Sequence, residues 1–348
     1  MMQKGIGYAL ASAILFGIST PIAKILVGSV SPVMLAGLLY AGSGLGLLLL
    51  LASRRMSAKR PASISLPRGN EWGWLAAAIL LGGIFGPIAL MYGLATTAAS
   101  TASLLLNLEA VFTALTAWFL FRENFDRRIA LGMVAIVAGG VVLAWSPANA
   151  RNVSSGVLFI AVACACWAFD NNLTRKTSTS DALLIAALKG IVAGAANLTL
   201  ARVLGHHVAE SDALIAAGLV GFLGYGVSLV LFVLALRQLG SARAGAYFAV
   251  APFFGTVVAV LLGDAVTWQL VVAGVLMAFG VWLHVTERHA HEHAHEHLEH
   301  AHAHVHDEHH HHAHDVSYGP EPHTHFHVHE PLVHSHPHYP DVHHRHPH

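Results

Sequence analysis

Charge is scarce in this sequence. Asp, Glu, Lys and Arg supply 11% of its 348 residues, while 55% are apolar. So little polarity cannot clothe a soluble domain, so most of the chain belongs in a bilayer. Cysteine is nearly absent too. Cys164 and Cys166 stand two apart within one apolar run, where helical spacing points them away from each other and argues against a disulfide. A Cys-x-Cys metal site is the alternative to ordinary small packing residues, and packing fits better. There is no glycine-rich nucleotide-binding loop, and no His–carboxylate constellation at bilayer depth. An enzyme, and an ATPase in particular, is not expected; nor is a nucleic-acid partner.

Long apolar runs are what the chain has instead. Crossing a hydrocarbon core of roughly 30 Å takes about 20 apolar residues, and runs of that length recur near 5–27, 32–52, 72–95, 98–121, 128–146, 155–174, 181–203, 212–236, 241–262 and 266–286. The expected fold is an all-α, multi-pass membrane protein of ten transmembrane helices, with the lipid bilayer as its principal partner. The first run leads straight into the second, so it reads as a retained span and not as a cleaved signal.

The ten runs are two sets of five. At an offset of 141, residues 90–123 fall without a gap on 231–264: Ser100 meets Ser241, Ala110 meets Ala251, Phe112 meets Phe253, and Glu123 meets Asp264. An odd number of spans per copy sends the second copy into the membrane from the opposite side. Inverted five-helix repeats are how many secondary transporters build a midplane site that can face either way.

The formal net charge of zero conceals a division. Residues 1–288 carry 18 Lys/Arg against 10 Asp/Glu, a net +8, while residues 289–348 carry one Arg against 9 Asp/Glu, a net −8. The expected organisation is a first repeat over 1–146, a second over 147–288 and a tail over 289–348. With the N-terminus in the cytoplasm, 14 Lys/Arg fall in cytoplasmic segments and only Arg151 and Arg202 in outer loops. That bias predicts an inner-membrane protein with both termini, and so the tail, cytoplasmic.

Several stretches resemble a known family. The first span reads Ala11-Ser12-Ala13-Ile14-Leu15-Phe16-Gly17-Ile18-Ser19-Thr20-Pro21-Ile22-Ala23-Lys24, and the fourth ends Trp118-Phe119-Leu120-Phe121-Arg122-Glu123. A short basic turn follows, then Gly132 and Gly139-Gly140-Val141 in the fifth. In order, spacing and duplication this resembles the EamA-type branch of the drug/metabolite transporter superfamily over roughly 5–286. The resemblance implies ten spans in two repeats, cytoplasmic termini, and transport of a small solute such as a metabolite, amino acid, drug or nucleotide sugar. Two departures stand out. Many members have a proline midway along the fourth span; here Pro252 holds that place in the ninth, Val111 aligns with it, and Glu109 stands nearby. Members also often carry an arginine midway along the second span, where this chain has Tyr40, with Lys189 at the equivalent place in the seventh.

Ionisable groups inside a bilayer cost several kcal/mol, so each needs a reason. Glu109 lies midway along the fourth span beside Asn107, Lys189 midway along the seventh, and Asp170 in the cytoplasmic half of the sixth, followed by Asn171 and Asn172. In the functional reading Glu109 carries a proton that substrate or Lys189 can displace, the minimal chemistry of proton-coupled antiport. In the structural reading, a fixed Glu109–Lys189 or Asp170–Lys189 pair only sets helix register. The Asp170-Asn171-Asn172 cluster either lines the cavity or is the wet end of its helix. Lys24 reads as snorkelling to the interface.

Pro87 in the third span and Pro252 in the ninth each remove a backbone hydrogen bond and predict kinks or hinges. Glycines such as Gly82, Gly83, Gly221, Gly224 and Gly226 read as close-approach points between helices. Gly132 with Gly139, and Gly274 with Gly280, would pack the fifth and tenth spans on each other or on a second copy of the chain, which would make a homodimer.

The tail holds 25 of the 28 histidines. His289, His291, His293, His295 and His297 alternate with Ala and Glu, and His309, His310, His311 and His312 form its longest unbroken run. Imidazoles mixed with carboxylates suit Zn, Ni, Co or Cu ions. The tail has too few apolar residues for a core, so it is expected to be disordered. The irregular interleaving of Pro, Val and acids differs from a cloning tag. No cofactor is required for transport. The leading expectation is a proton-coupled exporter of a small organic metabolite or drug with a metal-binding regulatory tail. The alternatives are a divalent Ni, Co or Zn exporter, and a membrane-anchored metal store or sensor that transports nothing.

Overall fold

A computed structural model describes residues 2–57, 69–121, 127–145, 154–174, 182–207, 210–239, 241–286, 290–295, 298–304, 323–329 and 332–337. The chain divides into two compact units, residues 1–287 and 288–348. The described residues of the first unit are helical, without a strand. Eight helices among the described residues are long and apolar enough to cross a bilayer.

In the first half these are α1 (Met2–Val27), α2 (Pro32–Ser57) and one continuous helix from Glu71 to Thr96. The last consists of α3 (Glu71–Ala78), a wider π-helical segment (Ile79–Phe85) and α4 (Gly86–Thr96). Then come α5 (Ala99–Leu105), α6 (Leu108–Phe121) and α7 (Arg127–Ala144). The second half repeats the order: α8 (Ser155–Thr174), α9 (Ala182–Val203), α10 (Ser211–Val220), a second π-helical segment (Gly221–Val227) and α11 (Ser228–Leu239). It ends with α12 (Ser241–Phe248), α13 (Ala251–Leu261) and α14 (Trp268–Val285).

Local chemistry explains the element ends. Pro32 opens α2 at the position where a missing N–H costs nothing, and the Ser31 hydroxyl accepts from the Met34 amide. Pro87 does not break its helix. The chain stays helical through it, and the amide it lacks is absorbed in the π turn just before it. Its unpaired acceptor, the carbonyl of Gly83 four residues back, takes the Asn197 side-chain amide at 3.0 Å. In the second repeat Ser228 stands in place of Pro87, and Ser12 donates to its carbonyl at 2.7 Å.

Two expected spans differ from the sequence reading. The fourth, expected unbroken over 98–121, is interrupted at Leu106-Asn107, and the ninth, expected over 241–262, at Ala249-Val250. At the first break the backbone tightens, with Asn107 N–H on Leu104 O and Glu109 N–H on Leu106 O. The Asn107 side chain also donates to Leu104 O at 3.0 Å, the competition with helical bonding that Asn is prone to. The second part of the ninth expected span is the short apolar helix Ala251–Leu261, and the tenth falls on the apolar helix Trp268–His284. Pro252 sits in the first turn of α13, where it starts a helix instead of kinking one.

The halves interlock. α1 packs on α11 and α13, as α8 packs on α4 and α6; α2 pairs with α9, and α7 with α14. Glycines let backbones touch. A Cβ on Gly44 would meet Ile191 and Gly190 of α9, and one on Gly280 would meet the Gly132 carbonyl. The glycine faces of α7 and α14 thus serve the pairing of these two helices within the chain. Leu35, Leu39, Leu90, Met91, Leu94, Leu105 and Ile160 fill the centre, while Leu49, Leu131, Val134, Val203 and Val275 point outward, as lipid-facing residues must.

In the second unit, where disorder was expected, the described residues form two antiparallel ladders. β1 (Ala290–His295) pairs with β4 (Leu332–Pro337), and β2 (Leu298–His304) with β3 (His323–His329). The period-two alternation that places His at every second position also suits extended pairing. The register sets His opposite His, as in His300 with His327 and His302 with His325. His289, His297 and His309 to His312 lie outside the described residues.

Candidate functional site

The ionisable groups of the interior form two neighbouring pairs. Lys189 on α9 reaches Asp170 on α8, with Nζ 2.5 Å from Oδ1 and 2.7 Å from Oδ2. Thr174, one turn along α8, donates to Oδ1 at 2.9 Å. Asp170 is buried, and it can be so because Gly82 has no side chain: a Cβ there would collide with its carboxylate.

Glu109 belongs to the second pair. It is half-buried in the first turn of α6, just past the break, where the helix N-terminus favours a carboxylate. Its Oε1 accepts from the Asn171 side-chain amide at 2.8 Å. Glu109 and Lys189 do not meet, because Lys189 is committed to Asp170.

Four of the residues weighed in the sequence are used for structure or remain apart from these pairs. Asn107 holds the break and lies 3.9 Å from the Met277 sulfur. Asn172 is buried and donates to Ala168 O of its own helix. Lys24 caps the end of α4, on Leu94 O at 2.6 Å, instead of reaching for an interface. Cys164 is buried with its thiol 3.6 Å from Leu105 O, covering a carbonyl that the break exposes.

The residues that frame the two pairs were not singled out for that role in the sequence. The Gly82 carbonyl, opened by the π-helical segment, accepts from Tyr40 Oη at 2.7 Å and from Trp167 Nε1 at 3.0 Å. Trp167 lies one turn before Asn171 on α8. An aromatic series continues from there: Phe16 has ring centroids 6.5 Å from Trp167, 5.9 Å from Tyr225 and 5.5 Å from Phe248, and Tyr40 lies 5.7 Å from Tyr225. These rings come from both halves of the chain. Tyr40 and Asn197 carried a signal, as polar groups inside apolar runs; the aromatics carried none, since ring residues are ordinary in membrane helices.

The two ends of the break-bearing helices differ. α5 packs on α13, and the Asp264 carboxylate accepts from the Ser100 amide at 2.7 Å, tying the start of α5 to the end of α13. The counterpart by repeat, α6 against α12, shows no comparable packing among the described residues; α6 lies on α8. Glu123, the sequence counterpart of Asp264, is outside the described residues.

Comparisons with known proteins agree with this architecture. The profile of the EamA-like transporter family matches residues 3–145 and 154–286, one match per half. A protein of Methanothermobacter thermautotrophicus described as an uncharacterized transporter is 28% identical over 287 residues, covering 79% of this chain and 84% of that one. An uncharacterized transporter of Clostridium kluyveri is 24% identical, over 80% of this chain and 92% of its own. A protein of known crystal structure, 19% identical, superposes with a TM-score of 0.58 over 80% of this chain and 95% of its own, a likeness of fold.

Proposed function

Because this chain belongs to the EamA-like transporter family, we propose that it is a ten-span, proton-coupled exporter of a small organic metabolite or drug in the inner membrane, with both termini cytoplasmic. The observation that carries the reading is Glu109. It stands just past a helix break, held by Asn171, a neutral amide one helical turn from Trp167, and by no basic side chain among the described residues. A carboxylate in that setting gains from a proton or from a cationic occupant, and competition between the two couples their movements. The Asp170–Lys189 pair, already neutral, serves as the fixed frame.

The test is proton flux. In proteoliposomes loaded with a pH indicator, full-length protein should dissipate an imposed pH gradient when a transported solute is added, and Glu109→Gln should not. Unchanged flux in the variant would remove Glu109 from the mechanism.

The tail is read as a chelator of Zn, Ni, Co or Cu that regulates the bundle. For metal as cargo, the described residues group no three His, Cys, Asp or Glu side chains around a common point. Efflux of Ni, Co and Zn from preloaded cells separates the readings. Metal export requires faster loss with full-length protein and none with Glu109→Gln. An organic cargo leaves metal efflux the same for both proteins and for a chain ending at Arg288.

A further inference from the structure

We propose that the central site takes a singly charged organic ammonium ion with an apolar or aromatic body. The assignment rests on the reading of Glu109 as the exchangeable carboxylate, and adds the charge and shape of what exchanges with it.

Charge balance comes first. Glu109, Asp170 and Lys189 are the charged residues in the interior pairs. Asp170 and Lys189 cancel at 2.5 Å. Among the described residues Glu109 has only the Asn171 amide, which orients a carboxylate and does not neutralise it. One negative charge remains, which one proton or one monocation balances. A dication would leave an excess positive charge in a medium that strongly penalises it, and the described residues offer no grouped ligand set to compensate.

Hydrogen-bonding capacity gives the same sign. Four strong donors among the described residues around the site are already engaged: Tyr40 Oη and Trp167 Nε1 on Gly82 O, Asn197 Nδ2 on Gly83 O, and Lys189 Nζ on Asp170. An anionic group, or the carboxylate of a zwitterion, would find none of these four available. Acceptors are in surplus. Among the described residues, the second carboxylate oxygen of Glu109 accepts no hydrogen bond, and neither does the buried Asn197 Oδ1. An ammonium N–H or an N-methyl cation is the complement.

The walls then select the body. With their polar atoms engaged, Tyr40 and Trp167 offer ring surface, and Phe16 and Tyr225 continue it. Ring faces attract cations and pack apolar groups, and neither contact requires a donor.

The experiment is direct binding to purified full-length protein in detergent, which does not depend on transport. The probe is radiolabelled benzyltrimethylammonium, whose charge is independent of pH, with larger arylalkyl trimethylammonium ions completing the series. Phenylalanine, phenylacetate and Ni(II) are competitors. Saturable ammonium binding is expected, weakened at least about tenfold by Glu109→Gln and about three- to tenfold by Phe16→Leu or Tyr225→Leu. Phe16→Leu serves as the second variant should Glu109→Gln fold poorly. Phenylacetate or phenylalanine competing as well as an ammonium overturns the assignment, as does ammonium binding that both site variants leave unchanged.

Failure of this inference and of the proton reading are separable. Glu109-dependent proton flux driven by a zwitterion or an anion sinks the cation and keeps the proton. Glu109-dependent ammonium binding that displaces no proton supports the cation and sinks the proton exchange.

Discussion

Asp170 and Lys189 illustrate how a pair can be cheap to keep and costly to halve. Removing Lys189 alone leaves a carboxylate buried against Gly82 with only hydroxyl help, a change that destabilises proteins by about 3–5 kcal/mol. Lys189→Met should therefore lower detergent unfolding stability sharply, and Lys189→Met with Asp170→Asn should recover most of the loss. Equal losses in the single and double variants would show that the pair is not coupled. Gly82→Ala should cost about 1–3 kcal/mol by overpacking, whereas Gly73→Ala, where a Cβ meets nothing within 4 Å, should leave unfolding unchanged. A sequence shows which residues are charged inside the membrane, and all of these were legible. It does not show facing. Lys189 was open to Glu109 or Asp170, and only the packing of α8 and α9 on the same π-helical segment decided it. Gly82 looked like one spacer among many because its use depends on a carboxylate 88 positions later.

Helix ends were read well from the limits of apolar runs, since those limits are set by bilayer thickness. Helix interiors were not. The break at Leu106-Asn107 lies in an apolar run without Pro or Gly, and the only local cue was Asn107 itself. The counterpart at Ala249-Val250 was marked by Pro252, although the proline was expected to kink a span and instead begins α13. Measured from the breaks, Glu109 and Pro252 each hold the second position of their helices, a correspondence that the gapless alignment misses by two residues. The contact of α5 with α13 yields a prediction at this scale. Asp264→Ala removes the carboxylate from the Ser100 amide and should loosen that end. A cysteine at Ser103, in a background lacking Cys164 and Cys166, should then react several-fold faster with a water-soluble maleimide. An unchanged rate would mean that helix packing alone keeps the end shut.

For the whole molecule, the repeat was legible from the self-alignment, but its interlocking was not, because contacts across halves leave no trace in spacing. The tail follows different rules. Its histidines should hold several Zn or Ni ions per full-length chain at pH 8 and release them by about pH 5, as imidazoles with an ordinary value near 6.5 become protonated and lose their lone pairs. Elemental analysis of dialysed protein reads this directly. A chain ending at Arg288 that retains as many ions would place the sites elsewhere.

The unequal ends of the bundle carry one more consequence. If α5 meets α13 in one arrangement and α6 meets α12 in the other, each arrangement is close to the other turned over, and most of the packing cancels from their difference. The preference between them then depends on the few places where the halves are not copies, such as Tyr40 against Lys189 and Pro87 against Ser228. A ligand needs only to outweigh that small remainder. The departures from symmetry would thus act as the counterweight that sets where the molecule rests when empty.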